Sequence, residues 1–259
     1  NFTHNWSFIV DAVPPSPPGD FTVEPARIQL VKRGLVLNIG APSDSKQAVA
    51  PTVIFRDGEY KMWYMASNAS RYHINYANSS DGLSWTKHGT VLVYSSVFGD
   101  PDYLHAGHPD VIYDGEYKMW YLGYDSTFWR LMYANSTDGI NWVKRGVVLD
   151  MGQPGSPDDR GVQTVSVIKG GEYKMWYTGF DGLKYSILYA NSTDGISWQR
   201  DYNVTISPDD SGRRWGDAVV AWPTVAFDGE TYHMWYNRLT SIYYQTHYAT
   251  SADGLKWND

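Results

Sequence analysis

The sequence predicts an all-β chain: a β-propeller of four blades, each of four antiparallel strands. Two observations point there. The string "DGEYKMWY" at Asp57–Tyr64 and Asp114–Tyr121 returns as "GGEYKMWY" at Gly170–Tyr177 and "DGETYHMWY" at Asp228–Tyr236. Its tryptophans, Trp63, Trp120, Trp176 and Trp235, are spaced by 57, 56 and 59 residues. Downstream of each copy comes a second string: "YANSSDGLSW", "YANSTDGINW", "YANSTDGISW" and "YATSADGLKW". Repeats of this length built only from strand patterns are those of propeller blades.

Within a repeat the elements follow in order. "PTVIF" (51–55) is a short apolar run, as in a strand covered on both faces, and "EYKMWYMAS" alternates and is rich in aromatics. Asp-Gly or Gly-Gly between them accepts the positive φ angles of a tight hairpin. "INYANS" reads as a third strand, a second Asp-Gly marks the next turn, and "TKHGTVLV" (86–93) supplies the fourth strand. The last repeat stops at "LKWND", where its outer strand should begin. "LVKRGLVLNIG" (30–40) matches "WVKRGVVLDMG" (142–152) at seven of eleven positions. It is therefore expected to be the missing outer strand, pairing beside residues 243–250 and closing the ring, within one chain or between two. Residues 28–259 form a single propeller domain on this reading, and 1–27 a Pro-rich extended arm that binds the propeller or another copy of the chain.

Composition narrows the function. A net charge of −7 supplies no basic field for nucleic acid, and no apolar run approaches the roughly 20 residues needed to span a bilayer. Aromatic residues make up 16% of the chain, which suits sheet faces and stacking surfaces. There is no cysteine, and the chain opens on Asn1 rather than Met, as does a product trimmed of a leader or a sequence simply cut at that point. Seven of the twelve asparagines stand in N-x-[ST] sequons: Asn1, Asn5, Asn68, Asn78, Asn135, Asn191 and Asn203. That pattern points to a glycosylated extracellular or cell-surface protein, with Asn78, Asn135 and Asn191 placed at turns along one rim.

The combined pattern P-x-V-I-x-D-G-x-Y-x-M-W-Y … Y-A-x-S-x-D-G-x-x-W resembles the glycosidase-like propeller superfamily, the group of arabinanases, levansucrases and invertases in glycoside hydrolase families 43 and 32. The S-x-D-G-x-x-W piece also resembles the Asp-box turn of sialidases. The resemblance covers all four repeats. It implies a five-bladed ring as the alternative architecture. It also implies catalysis by acidic residues around the central funnel: an Asp as nucleophile or base, a second Asp, and a Glu as acid. Glycoside cleavage needs one carboxyl protonated and one ionised, roughly 5 to 10 Å apart. Of the five glutamates, Glu59, Glu116, Glu172 and Glu230 occupy one repeated hairpin position, and Glu24 lies in the arm, so none is left for the funnel.

Residues that depart from the repeat are the candidates for function, because the fold does not require them. In the loops entering the first strands His105, His108, Asp110, Arg160, Arg213, Arg214 and Asp217 depart from it, and Asp102, Asp159 and Trp215 complete the candidate ligand-binding set. Asp110 and Asp217 form the one candidate catalytic pair, and Trp215 with its two arginines a platform for a sugar ring. Asp44, Asp102 and Asp158 recur seven residues before equivalent strand positions, which reads as a turn or cap group. His105 and His108 with Asp102 and Asp110 have the residue types of a metal site, but their spacing on an irregular loop favours hydrogen-bonded histidines. No cofactor is expected, although a structural cation in the central channel is compatible with the fold. The expected function is a secreted, glycosylated, non-catalytic module that binds carbohydrate or serves an extracellular assembly. The alternative is a glycoside hydrolase using aspartates alone.

Overall fold

The computed structural model describes residues 34–40, 42–68, 71–208, 219–240 and 243–258. The protein is an all-β, four-bladed propeller. Blade 1 is the sheet β1 (Gln47–Arg56), β2 (Glu59–Ser67), β3 (His73–Ser79) and β4 (Thr86–Leu92). Blade 2 is β5 (His105–Asp114), β6 (Glu116–Tyr124), β7 (Trp129–Ser136) and β8 (Val143–Leu149). Blade 3 is β9 (Gly161–Lys169), β10 (Tyr173–Phe180), β11 (Tyr185–Ser192) and β12 (Gln199–Ile206). Blade 4 contributes β13 (Val220–Phe227), β14 (Tyr232–Thr240) and β15 (Tyr243–Ser251) among the described residues. Each sheet is an antiparallel meander in chain order. The first strands pack on one another from blade to blade, β1 on β5, β5 on β9 and β9 on β13, which makes them the innermost strands. Residues 30–33 of the expected closing strand lie outside the described residues, and Gly34–Gly40 form no strand.

The repeated strings have local physical causes. In the first hairpin of blade 1, Asp57 and Gly58 take φ values of 55° and 80°, the left-handed pair that turns two twisted strands tightly. In the second turn, Asp81 Oδ1 accepts the backbone N–H groups of Leu83 (2.8 Å) and Ser84 (2.7 Å), and Ser79 Oγ accepts that of Gly82 (2.9 Å). Asp138, Asp194 and Asp253 repeat the arrangement. These backbone donors hold all four carboxyls below the usual carboxylate range.

The same turns join the blades. Trp63 Nε1 donates to the carbonyl of Gly139 in blade 2 (2.7 Å), Trp120 to Gly195 in blade 3 (2.8 Å), and Trp176 to Gly254 in blade 4 (2.8 Å). All three indoles are fully buried, and Trp142, Trp198 and Trp257 meet them edge-on. Apolar clusters fill each junction, Trp63, Ile74, Tyr76 and Leu92 against Val111, Tyr117 and Met119 for example. Nearer the axis the N–H groups of Val111, Val167 and Val225 bond to Thr52 Oγ1, Asp110 Oδ2 and Ser166 Oγ of the preceding blade.

The latch glycines are constrained twice. Gly139 has φ +77°, and a Cβ there would stand 2.9 Å from Trp63 Cζ2, whereas Gly115 (φ +75°) has open space around it. Gly115→Ala is therefore expected to cost about 1 kcal/mol, from backbone strain alone. Gly139→Ala should cost about 3 kcal/mol, because the buried indole must also move. Equilibrium urea unfolding of the two variants measures the difference.

Candidate active site at the channel mouth

The start of every inner strand lies beside the end of the second strand, as Gln47 opposite Ser67 shows, so the loops before β1, β5 and β9 share one end of the propeller with the β2–β3, β6–β7 and β10–β11 connections. At this mouth each inner strand carries a bulge. Register slips between Val49 and Thr52, Gly107 and Asp110, and Ala221 and Thr224, and in the β9–β10 pair at Tyr177/Thr178. Ala50, His108 and Trp222 sit in three of them at φ of 50°, 48° and 58°, a left-handed conformation costly for residues with a Cβ. The following prolines, Pro51, Pro109 and Pro223, explain the slips, since proline inside a sheet is tolerated at bulges. A bulge re-aims the side chain it carries. Ala50, His108 and Trp222 thus form the irregular rim of the channel, with Thr164 at the equivalent position in blade 3.

Asp110 follows directly behind. Its Oδ2 accepts Val167 N–H of blade 3 (2.7 Å) and its Oδ1 the hydroxyl of Thr52 of blade 1 (3.3 Å), so one carboxyl spans three blades. Burial outweighs these donors and pushes its pKa up to about 6. Burial likewise pushes His108 down to about 4, so its imidazole is neutral at neutral pH. Apart from Asp114 at the far end of β5, no other carboxylate occurs on the four inner strands.

Aromatic side chains surround this rim. His105 stacks on Tyr72 (4.5 Å between centroids), Tyr124 (5.6 Å) and Trp129 (5.9 Å), and its Nδ1 accepts the N–H of Tyr72 (3.1 Å). Phe180 stacks on Tyr185 at 4.4 Å, and Trp222 lies 5.1 Å from Tyr244. An open depression lined by Ser43, Asn68, Arg71, His73 and Tyr94 lies at the same end, with Arg71 over the rings of Tyr94 and Tyr103.

The sequence candidates therefore separate. Asp110, His108 and His105 come together at the mouth. Asp159 is mostly buried, with Oδ2 accepting Gly155 N–H (2.7 Å), and Arg160 beside it is exposed. Asp102 behaves as Asp44 and Asp158 do. All three are buried and receive a tyrosine hydroxyl (Tyr121, Tyr64 and Tyr177) and a cation of the outer strand (Lys144, Lys87 and Arg200). They pin each entry loop to its own blade, the cap role that their recurrence predicted. Arg213, Arg214, Trp215 and Asp217 lie outside the described residues, as do Asn1 and Asn5. Among the described residues no group of His, Asp and Glu is arranged to hold a metal ion.

The repeated sequons need a correction. Asn78, Asn135 and Asn191 are not turn residues. They are the penultimate residues of β3, β7 and β11, and each donates its amide to Glu59, Glu116 or Glu172 (2.8, 2.7 and 3.0 Å). The repeated Asn and Glu explain one another, which gives three sequons a structural cause. Asn68 and Asn203 are exposed.

No protein-family profile matches the chain. It is 31% identical over 178 residues to uncharacterized proteins of two Mycobacterium tuberculosis strains; the match covers 64% of this chain and 57% of theirs. Among solved structures it superposes on a family 117 glycoside hydrolase of the marine bacterium Zobellia galactanivorans with a TM-score of 0.69 at 14% identity, over 86% of this chain and 71% of that one. A thermostable family-43 glycoside hydrolase gives 0.63 at 17% identity, over 85% and 74%. The fold is that of the glycoside-hydrolase-like β-propellers. These matches run against the expectation of a non-catalytic module: solved structures that share the fold include glycoside hydrolases of families 43 and 117, which sides with the catalytic alternative. The search for a funnel glutamate had judged the function by one residue type.

Two outcomes follow from the geometry. Asp158→Asn removes the charge that Arg200 and two tyrosines face, and is expected to destabilise by about 3 kcal/mol in urea unfolding. For Asp110 the folded pKa lies above the unfolded one, so its ionisation opposes folding. Its contribution is most favourable below about pH 4, falls as pH rises to about 6, and is flat above. Subtracting the stability-versus-pH curve of Asp110→Asn from that of the native chain should leave a step on the order of 2–3 kcal/mol in that window.

Proposed function

We propose that the protein is a glycoside hydrolase acting on an oligosaccharide or polysaccharide at the channel mouth. One observation carries the reading: a carboxyl on the channel-lining strands, Asp110, whose pKa is raised to about 6. An acid of that strength keeps a protonated fraction near neutrality, which is what donation to a glycosidic oxygen requires. Around it stand aromatic faces, Tyr124 with Trp129 and Trp222 with Tyr244, on which the apolar face of a sugar ring can rest. His108, neutral at this pH, offers a hydrogen-bonding group without a competing charge. The second carboxyl that glycoside cleavage demands is assigned to Asp217, the partner that the sequence names. The superposed structures support the reaction class, family 43 and family 117 hydrolases among them, and leave the sugar open. An extracellular setting, with sugars on exposed Asn68 and Asn203, belongs to the same proposal.

The test is hydrolysis of a panel of aryl glycosides and plant and microbial polysaccharides by the native chain, Asp110→Asn and Asp217→Asn. Each substitution is expected to lower kcat by at least about 100-fold, while the thermal melt stays cooperative. The native rate should fall as pH rises through about 6, as Asp110 loses its proton. Absence of hydrolysis across the panel, or full activity in both variants, refutes the proposal.

A further inference from the structure

Three blade junctions are built alike, and the described residues of the fourth are not. Trp235 of blade 4 is the counterpart of Trp63, Trp120 and Trp176, yet it is only partly buried and its indole finds no hydrogen-bond partner among the described residues. Gly82 of blade 1 is the counterpart of Gly139, Gly195 and Gly254, but no indole from a preceding blade approaches it; its near neighbour is Tyr60 of its own blade. Thr224, at the position from which Thr52, Asp110 and Ser166 clasp the next blade, is exposed and makes no such bond. The apolar walls agree. Val53 is 38% exposed, against 2%, 5% and 8% for Val111, Val167 and Val225. Tyr248 is 48% exposed, against 4%, 3% and 5% for Tyr76, Tyr133 and Tyr189. Two faces that are buried at every other junction thus stand open, one on blade 4 and one on blade 1.

The chain itself indicates what covers them. Leu37 packs on Met62, Tyr64, Ala66 and Ala77, the face that blade 1 turns toward whatever precedes it. By the eleven-residue match Leu37 corresponds to Leu149, which is buried between blades 2 and 3 among Val162, Val165 and Val167. Lys87 also holds the carbonyl of Asn38 against blade 1. The backbone therefore lies on the wall of the open junction at Leu37 and Asn38, a few residues after the described chain begins at Gly34. The 33 residues before it reach up to about 100 Å when extended and include Trp6, Phe8, Phe21, Ile28 and Leu30, side chains suited to an apolar cleft.

We propose that residues 1–33 pack into the open junction between blade 4 and blade 1 of their own chain, giving it the cover that a neighbouring blade gives at the other three. This does not rest on the hydrolase reading. Oxidative footprinting of the full chain should label Trp235 and Tyr248 as slowly as their buried counterparts Trp176 and Tyr189. A benzoylphenylalanine in place of Val53 should, on illumination, cross-link to a peptide within residues 1–33 of the same molecule. Labelling of Trp235 several-fold faster than Trp176 overturns the proposal. So does a cross-link that joins two chains into a dimer on a denaturing gel, or one that lands outside residues 1–33.

Discussion

The architecture depends on one hydrogen bond made three times: an indole N–H reaching across a blade junction to a glycine carbonyl in the next blade's turn. The bond is buried, so breaking it would leave the indole donor without water, at a cost of roughly 1–3 kcal/mol. It also fixes geometry. The carbonyl can face the indole only because the turn residue takes positive φ, and the indole can come close only because that residue lacks a Cβ. The serine and aspartate of the turn satisfy its N–H groups, and that leaves the glycine oxygen free to serve as an acceptor. Asp-Gly and the distant Trp are thus two halves of one device, and the spacing of 56 to 59 residues between repeated tryptophans is its pitch.

Asp110 shows how chemistry is placed on such a frame. In blades 1 and 3 the same clasp is made by hydroxyls, Thr52 and Ser166, which accept the neighbour's N–H at little cost. A carboxylate does the same job at Asp110 but must be desolvated, and its raised pKa is the measure of that penalty. Taking the neighbour's N–H needs no acid there, although the second carboxyl oxygen also accepts the Thr52 hydroxyl of blade 1. A residue that obeys the repeat in position and breaks it in chemistry, at a cost, is where a function is expected.

Much of this was legible from the residues. Tight turns, strands and the cap role of Asp44, Asp102 and Asp158 depend on local spacing, and local spacing is what a repeated sequence displays. The repeated sequons misled because N-S-[ST] is also what an Asn–Glu cross-strand pair followed by a serine turn looks like; the partner glutamate lies 19 residues upstream, in the adjacent strand. The aromatic surround of His105 was missed for a different reason. Tyr72 and Trp129 meet His105 from separate blades, and nothing in either stretch announces the other. Yet one signal was present: Pro51, Pro109 and Pro223 inside strands of apolar pattern mark bulges, and the residue before each is the one the bulge presents.

The two ends of the propeller follow different rules for the same reason. At the far end the serine-aspartate turns are nearly identical in every blade, and those of blades 2, 3 and 4 also receive the indole of the blade before them. A change there is felt at a junction. At the mouth the entry loops of blades 1, 2 and 3 are each pinned inward, to a tyrosine and a cation of their own blade. Such a loop can vary in length and content without disturbing its neighbours, so the mouth loops diverge while their buried aspartates persist. Freedom to vary, a carboxyl held at unusual strength and aromatic faces around it coincide at this end, which is where a functional site is expected.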